Sequence, residues 1–291
     1  MGVRRELGVP LDMSFRITES DGTDHLVFGY NGSAWIGATD PSKGIYIDGS
    51  GDKVVIQPGT IKQNSNDFNQ NDINYSSSYG ILGETENGVQ AEYVSLPEYN
   101  LSKMSDDLTF EESASMQLVF MTSYQMLVER AKIKKDDIIL IYGGTSGIGM
   151  AAIQIAKDIG AIVISTVGSS EKIKYAQDLG SDHVFLHDDK LLNNLKQLFG
   201  KVGISVVFEH VGLKTWNDSL KILSRGGRIV TCGSTTGAIV NVDLRHLFMK
   251  QQSILGSTMG SLDTFRKVMS KIENKIYKPC IDKVYIFDDI I

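Results

Sequence analysis

Residues 138–157, IILIYGGTSGIGMAAIQIAK, begin with a short apolar run, 138–142, of the kind that forms a fully buried parallel strand. Gly143, Gly144, Thr145, Ser146, Gly147, Ile148 and Gly149 follow at once. Ile148, Ala152, Ile155, Ala156 and Ile159 then recur at helical spacing, and Gly160 sits where a helix stop belongs. Strand, tight glycine turn and helix together form the context in which such a loop reads as a dinucleotide site. Glycines let the backbone turn sharply and let a diphosphate approach it without meeting a Cβ. The free N–H groups and the dipole of the helix start then attract the phosphates.

Rival readings of the loop fail on particular residues. A P-loop needs Lys and Ser/Thr after its last glycine, but Met150 and Ala151 stand there. The spacing of Gly143, Gly147 and Gly149 also fits the short-chain dehydrogenases, which carry the loop near the N-terminus with a Tyr-x-x-x-Lys downstream. Here 142 residues precede it, and Tyr99 to Lys103 lies upstream beside Pro97. A turn with no ligand is the remaining alternative.

Downstream, strands are predicted at 138–142, 161–166, 183–187, 204–210, 228–232 and 253–258. Helices are predicted at 147–159, 170–179, 190–199, 215–224, 242–250 and 261–275, with Gly160, Gly180, Gly200 and Gly226 read as residues that close helices. This alternation predicts a doubly wound parallel sheet of six strands. Upstream, 15–18 and 25–28 read as two strands around an Asp21-Gly22 turn, and little periodicity follows to Gly51. Residues 51–59 and 89–94 read as strands, 62–78 as a polar exposed lobe, and 110–128 as one or two helices.

A chain of 291 residues holds one large or two ordinary domains, and 42% apolar with 22% charged residues is ordinary globular composition. The net charge of −6, with no basic stretch, argues against nucleic acid. No run has the length of a membrane span, and MGVRREL lacks the apolar core of a signal peptide, so a cytoplasmic protein is expected. Cys232 and Cys280 are too few for a disulfide framework.

The cofactor type is read about 20 residues past the glycines, where an NAD-selective site places an acid on the ribose. Here the strand end reads Ser165, Thr166, Val167, Gly168, Ser169, Ser170, Glu171, Lys172. Hydroxyls, bare amides and an ammonium suit a 2′-phosphate, so NADPH is expected. Glu171 turned onto the ribose keeps NADH open.

On these residues the chain resembles the medium-chain dehydrogenase/reductase superfamily, in its quinone-oxidoreductase and zinc-alcohol-dehydrogenase-like branch. The likeness runs from about Gly51 to Phe287. Its marks are GDKVVIQPG, YGILGETENGVQAEYVSLP, FEESASMQLVFMTSYQML, GGTSGIGMAAIQIAK, LGSDHVF, FEHVG, GGRIVTCGSTTG and QSILGSTMG. The resemblance implies a GroES-like catalytic domain over 1–125, a Rossmann domain over 126–275 and a return to the catalytic domain over 276–291, with the nicotinamide in the cleft between the two domains. It places Thr122 beside the nicotinamide, and Gly143 to Gly149 around the diphosphate. Gly168, Ser169 and Lys172 are implied in the 2′-phosphate pocket with His187 near it. Val211, Gly212, Cys232, Gly233 and Ser234 are implied along the ribose and ring. The strand at 253–259 resembles the edge through which such enzymes form homodimers.

Three departures qualify the likeness. No Gly-His-Glu segment is present and Leu118 stands at the third-ligand place, so no catalytic zinc is expected. Lys62, Ser65, Phe68 and Ser76 stand where relatives carry the four cysteines of a structural zinc, so a loose lobe without metal is expected. The first domain is shortened between its opening strands and GDKVV, and the chain stops before the final helix and strand of the fold. It reads as a member with an internal deletion and a clipped tail.

The expected function is zinc-independent transfer of a hydride from NADPH to a quinone or an activated alkene or carbonyl. The alternatives are a nucleotide-binding remnant with little turnover and a zinc-type alcohol dehydrogenase. The catalytic proton donor is not assigned; Ser123 and Tyr124 adjoin Thr122, but packing in a helix explains both.

Overall fold

The computed structural model describes residues 2–4, 16–18, 24–28, 34–36, 45–47, 54–56, 59–61, 73–86, 88, 100–200 and 203–285. The chain divides into two compact units, Met1–Gln117 and Leu118–Ile291.

In the first unit a five-stranded antiparallel meander is built from β1 (Gly2–Arg4), β2 (Arg16–Thr18), β3 (Asp24–Phe28), β4 (Ala34–Ile36) and β5 (Ile45–Ile47), paired in chain order. The expected pair around Asp21-Gly22 is β2 and β3, with Ile17 opposite Leu26. β4 and β5 fall where periodicity is weak; their stability comes from cross-strand pairing, which a single strand's sequence does not display. β6 (Val54–Ile56) pairs antiparallel with β9 (Leu101–Lys103), and β7 (Gly59–Ile61) with β8 (Tyr79–Ile81). A 3₁₀ turn, Ile73–Tyr75, buries Ile73. The strand expected over 89–94 and most of the polar lobe lie outside the described residues.

Helix α1 (Phe110–Tyr124) starts at a reciprocal cap. The Thr109 amide donates to Glu112 Oε2 at 2.9 Å, and the Glu112 amide donates to Thr109 Oγ1 at 3.1 Å. It runs on into a wider π-helical turn, Gln125–Arg130.

The second unit is the alternating fold its sequence announces. Its sheet contains β10 (Ile138–Ile141), β11 (Ile162–Val167), β12 (His183–Leu186), β13 (Ile204–Glu209), β14 (Leu223–Thr231) and β15 (Ser253–Gly256). All pairings are parallel, in the spatial order β12-β11-β10-β13-β14-β15. Between the strands run α2 (Gly147–Ile159), α3 (Glu171–Asp178), α4 (Leu191–Phe199), α5 (Trp216–Ile222) and α6 (Leu244–Lys250), and α7 (Leu262–Glu273) follows β15. Each residue of β10 is buried, as a strand covered on both faces requires. Leu140, Ile164, Val207 and Ile229 are wholly enclosed with Trp216 and Leu220 in one core cluster, each aliphatic side chain contributing roughly 1.5–3 kcal/mol.

One punctuation mark differs from expectation. Gly226 does not close a helix. α5 ends at Ile222, and β14 begins at Leu223 opposite Ile204; the ladder then skips 224–227 as a bulge before Arg228 pairs with Val206. Gly226 takes φ +68° inside that bulge. Arg228 uses the strand to clamp the turn before β10. Its Nη2 lies 2.7 Å from Asp137 Oδ2 and 3.2 Å from Lys132 O, and its Nε donates to Ala131 O.

Candidate functional site

Strand order reverses between β10 and β13. From β10 the chain steps outward through β11 and β12, then crosses back to β13, β14 and β15. In open α/β sheets the crevice beyond the carboxyl ends at such a switch is where ligands bind. The residues expected on sequence grounds, other than Thr122, fall at or just beyond the carboxyl ends of β10 to β14.

The glycine loop is held from within. The Gly143 amide donates to Thr166 Oγ1 at 3.1 Å, and the Gly144 amide to Thr166 O at 2.8 Å, binding the loop to β11. Ser146 caps α2: its Oγ accepts from the Gly149 amide at 3.2 Å, and its carbonyl from the Met150 amide at 2.8 Å. Gly143 adopts φ +61°, and a Cβ on Gly149 would stand 2.1 Å from the Gly143 carbonyl oxygen, so neither position takes a side chain. Among the described residues the amides of Gly147 and Ile148 have no hydrogen-bond partner. Two bare amides at the start of a 13-residue helix suit an anionic oxygen. The loop residues therefore fit a diphosphate.

At the end of β11, a Cβ on Gly168 would meet nothing within 4 Å, so this corner is open. Ser169 Oγ donates to Glu171 Oε2 at 2.7 Å, which engages the hydroxyl expected for the 2′-phosphate. Lys172, in the first turn of α3, is exposed and forms no ion pair among the described residues. His187 is exposed, and its ring packs edge-on to Tyr142 with centroids 5.5 Å apart.

Thr122 is buried on α1, its hydroxyl facing Met259 Sδ at 4.0 Å. The same helix lies against the loop. Ser123 Oγ donates to Ile148 O at 2.9 Å, and a Cβ on Gly147 would sit 3.0 Å from Val119 Cγ1. Ser123 thus has a packing role.

Beyond β13 and β14 two loops are laced together. Val211 O accepts from the Thr236 amide at 2.7 Å and from Thr236 Oγ1 at 2.8 Å. His210 O accepts from Thr235 Oγ1 at 3.0 Å, and the Leu213 amide donates to Gly237 O at 3.1 Å. Gly233 and Ser234 are exposed on this wall. Burial, with the charge of Glu209 adding to it, pushes the Cys232 thiol up to about 11.

Two neighbours at this wall escaped the sequence reading. His210 Nε2 lies 2.8 Å from Tyr142 O, so it carries the proton there, and its ring lies beside Gly143. Glu209 is fully buried, and its signal was present: a lone carboxylate closing the apolar run ISVVFE. Its Oε1 accepts from the Val211 amide at 2.7 Å, the Gly212 amide at 3.0 Å and Thr215 Oγ1 at 2.9 Å. Ser219 Oγ lies 3.1 Å from Oε2 and 3.2 Å from Tyr142 Oη.

No group of three or more His, Cys, Asp or Glu that could hold a metal ion occurs among the described residues. Positions 62, 65 and 68 of the polar lobe lie outside them. No described helix is long and apolar enough to cross a membrane.

Comparison with known proteins agrees with this geometry. The zinc-binding dehydrogenase domain family matches residues 147–274. A quinone oxidoreductase of Pongo abelii is 30% identical over 217 residues, which cover 74% of this chain and 63% of that protein. The crystal structure of an NAD-dependent alcohol dehydrogenase superposes with a TM-score of 0.76 at 33% identity, covering 94% of this chain and 75% of the other. A 2-octenoyl-CoA carboxylase reductase, solved in complex with NADP and 2-octenoyl-CoA, superposes with a TM-score of 0.74 at 28% identity, over 85% and 60% of the two chains. The chain thus spans about 63% of the length of the quinone oxidoreductase it matches. A Rossmann-type parallel sheet, a glycine loop at its switch point and relatives of this identity together show that the chain belongs to the medium-chain dehydrogenase/reductase superfamily, as a quinone-oxidoreductase-like member.

Proposed function

We propose that the protein is an NAD(P)H-dependent oxidoreductase that uses NADPH to reduce a quinone or an activated alkene or carbonyl, without catalytic zinc. The observation that carries this reading is the pairing of the bare Gly147 and Ile148 amides with the open corner at Gly168 and the exposed Lys172 ammonium. The amides would hold the diphosphate, and Lys172 with the Ser169 hydroxyl would hold the 2′-phosphate. Reduced nicotinamide, when bound, supplies the hydride. The wall of Val211, Gly212, Cys232, Gly233 and Ser234 would orient the ring half, with Thr122 on its helix beside it.

Zinc independence rests on the residues at the ligand places: no Gly-His-Glu segment exists, and Leu118 is exposed on α1 where a third ligand would stand. That a relative was solved with NADP and an enoyl-CoA supports the choice of cofactor and an electron-poor double bond as acceptor. β15 ends the sheet and would pair with a second copy of the chain.

Titration of the purified protein with NADPH and NADH, followed by NADPH oxidation in the presence of a quinone or a 2-enoyl thioester, tests the reading. Saturable binding that favours NADPH, together with acceptor-dependent oxidation, is expected. Binding without turnover would make the chain a nucleotide-binding protein, and no saturable binding by either nucleotide would overturn the proposal. Stoichiometric zinc in the active protein would overturn its zinc-independent part. Sedimentation at micromolar concentration decides the dimer.

A further inference from the structure

Glu209 is 0% exposed, and no Lys, Arg or His forms an ion pair with it among the described residues. A buried carboxylate without a countercharge persists only where donors surround it. Here every group that faces it donates: two amides, Val211 and Gly212, and the hydroxyls of Thr215 and Ser219. An ionised carboxylate is acceptor-only and suits four donors; a carboxamide in its place would turn an NH₂ against some of them.

Those donors all follow β13, and their further hydrogen bonds reach across the switch point to β10 and on to the loop after β14. Val211, Gly212 and Thr215 belong to the loop after β13, whose outward carbonyls bind the loop after β14 through Thr235 and Thr236. Ser219 reaches the hydroxyl of Tyr142, the residue before Gly143, and the Tyr142 carbonyl accepts from His210. One anion therefore sets where the wall loop stands relative to the glycine loop. Burial of Tyr142, with Glu209 adding to it, holds that phenol protonated.

We propose that Glu209 is a positioning residue that shapes the 211–215 and 233–237 loops to receive the nicotinamide half of the dinucleotide, leaving the adenosine half untouched. This rests on the nucleotide reading of the site.

The test compares NADPH with 2′,5′-ADP, which lacks the nicotinamide, on wild-type protein and on Glu209→Gln. The variant is expected to bind NADPH about tenfold or more weakly while its affinity for 2′,5′-ADP stays within about twofold of wild type. The fluorescence emission of bound NADPH is expected to move toward that of the free form, because the ring loses its fixed wall. Equal weakening for both ligands, or no change for either, overturns the proposal. If Glu209→Gln does not fold, Thr215→Val removes one donor with little change of shape and is expected to show the same asymmetry; equal effects there overturn it. Wild-type protein that binds 2′,5′-ADP but loses nothing selective on mutation leaves the nucleotide reading standing without this inference. Wild-type protein that binds neither ligand overturns both.

Discussion

A methyl group on Gly149 would stand 2.1 Å from the carbonyl oxygen of Gly143, six residues earlier in the chain. The first turn of α2 and the first glycine of the loop after β10 are thus in contact, and any side chain at 149 forces them apart. Gly149→Ala is expected to cost about 1–3 kcal/mol of stability through overpacking and to abolish nucleotide binding, because the Gly147 and Ile148 amides would lose their aim. Urea unfolding and NADPH titration check both; tight binding by the variant would contradict the geometry.

On the function proposed above, the corner at Gly168 would set cofactor choice. Lys172→Ala is expected to weaken NADPH by about tenfold with little change in NADH, since only the former carries the 2′-phosphate. Glu171→Ala removes the carboxylate and releases the Ser169 hydroxyl that donates to it at 2.7 Å, so NADPH should bind a few-fold more tightly. The ratio of the two dissociation constants is the measurement, and a ratio unchanged in both variants refutes the pocket.

Arg228 and Asp137 form a pair whose acid is only 5% exposed. Removing one partner of a buried pair leaves an uncompensated charge, at a cost of about 3–5 kcal/mol. Arg228 keeps 19% exposure, so Arg228→Met should lose about 3 kcal/mol in urea unfolding, near the lower end of that range. The site is remote from this clamp, and variant protein that folds should bind nucleotide as wild type does.

Cys232 gives an alkaline signature. Its thiol is raised to about 11 by burial, with Glu209 adding to it, so the folded state holds this proton longer than the unfolded chain does. The contribution to stability is whole below the unfolded thiol value of about 8.5 and is lost as pH climbs through about 11. Cys232→Ala should therefore flatten the decline of urea stability between those limits. Alkylation of Cys232 by iodoacetamide should be slow at neutral pH and accelerate toward pH 11, and bound nucleotide should retard it. Fast labelling at neutral pH would contradict the burial.

Much of the second unit was legible in the chain alone because its signals are local. An apolar run followed by glycines and a helical repeat names β10, the loop and α2 without reference to anything else, and the next five strands announce themselves in the same way. The small strands β4 and β5 were not legible, since each owes its existence to the strand beside it. Gly226 misled for the same reason: a glycine after a helix reads as its stop, whereas pairing of Leu223 with Ile204 draws it into a bulge. The loop residues at the carboxyl ends could be named from the sequence, but the engagement of Ser169 by Glu171 and the ring of His187 against Tyr142 could not. Sequence by itself determined the backbone that can bend around a diphosphate, because that depends on which positions lack a Cβ. Only the tertiary structure decided what braces it, because Tyr142 lies far along the chain from Glu209, Thr215 and Ser219 and joins their hydrogen-bonded group when parallel strands bring their ends together.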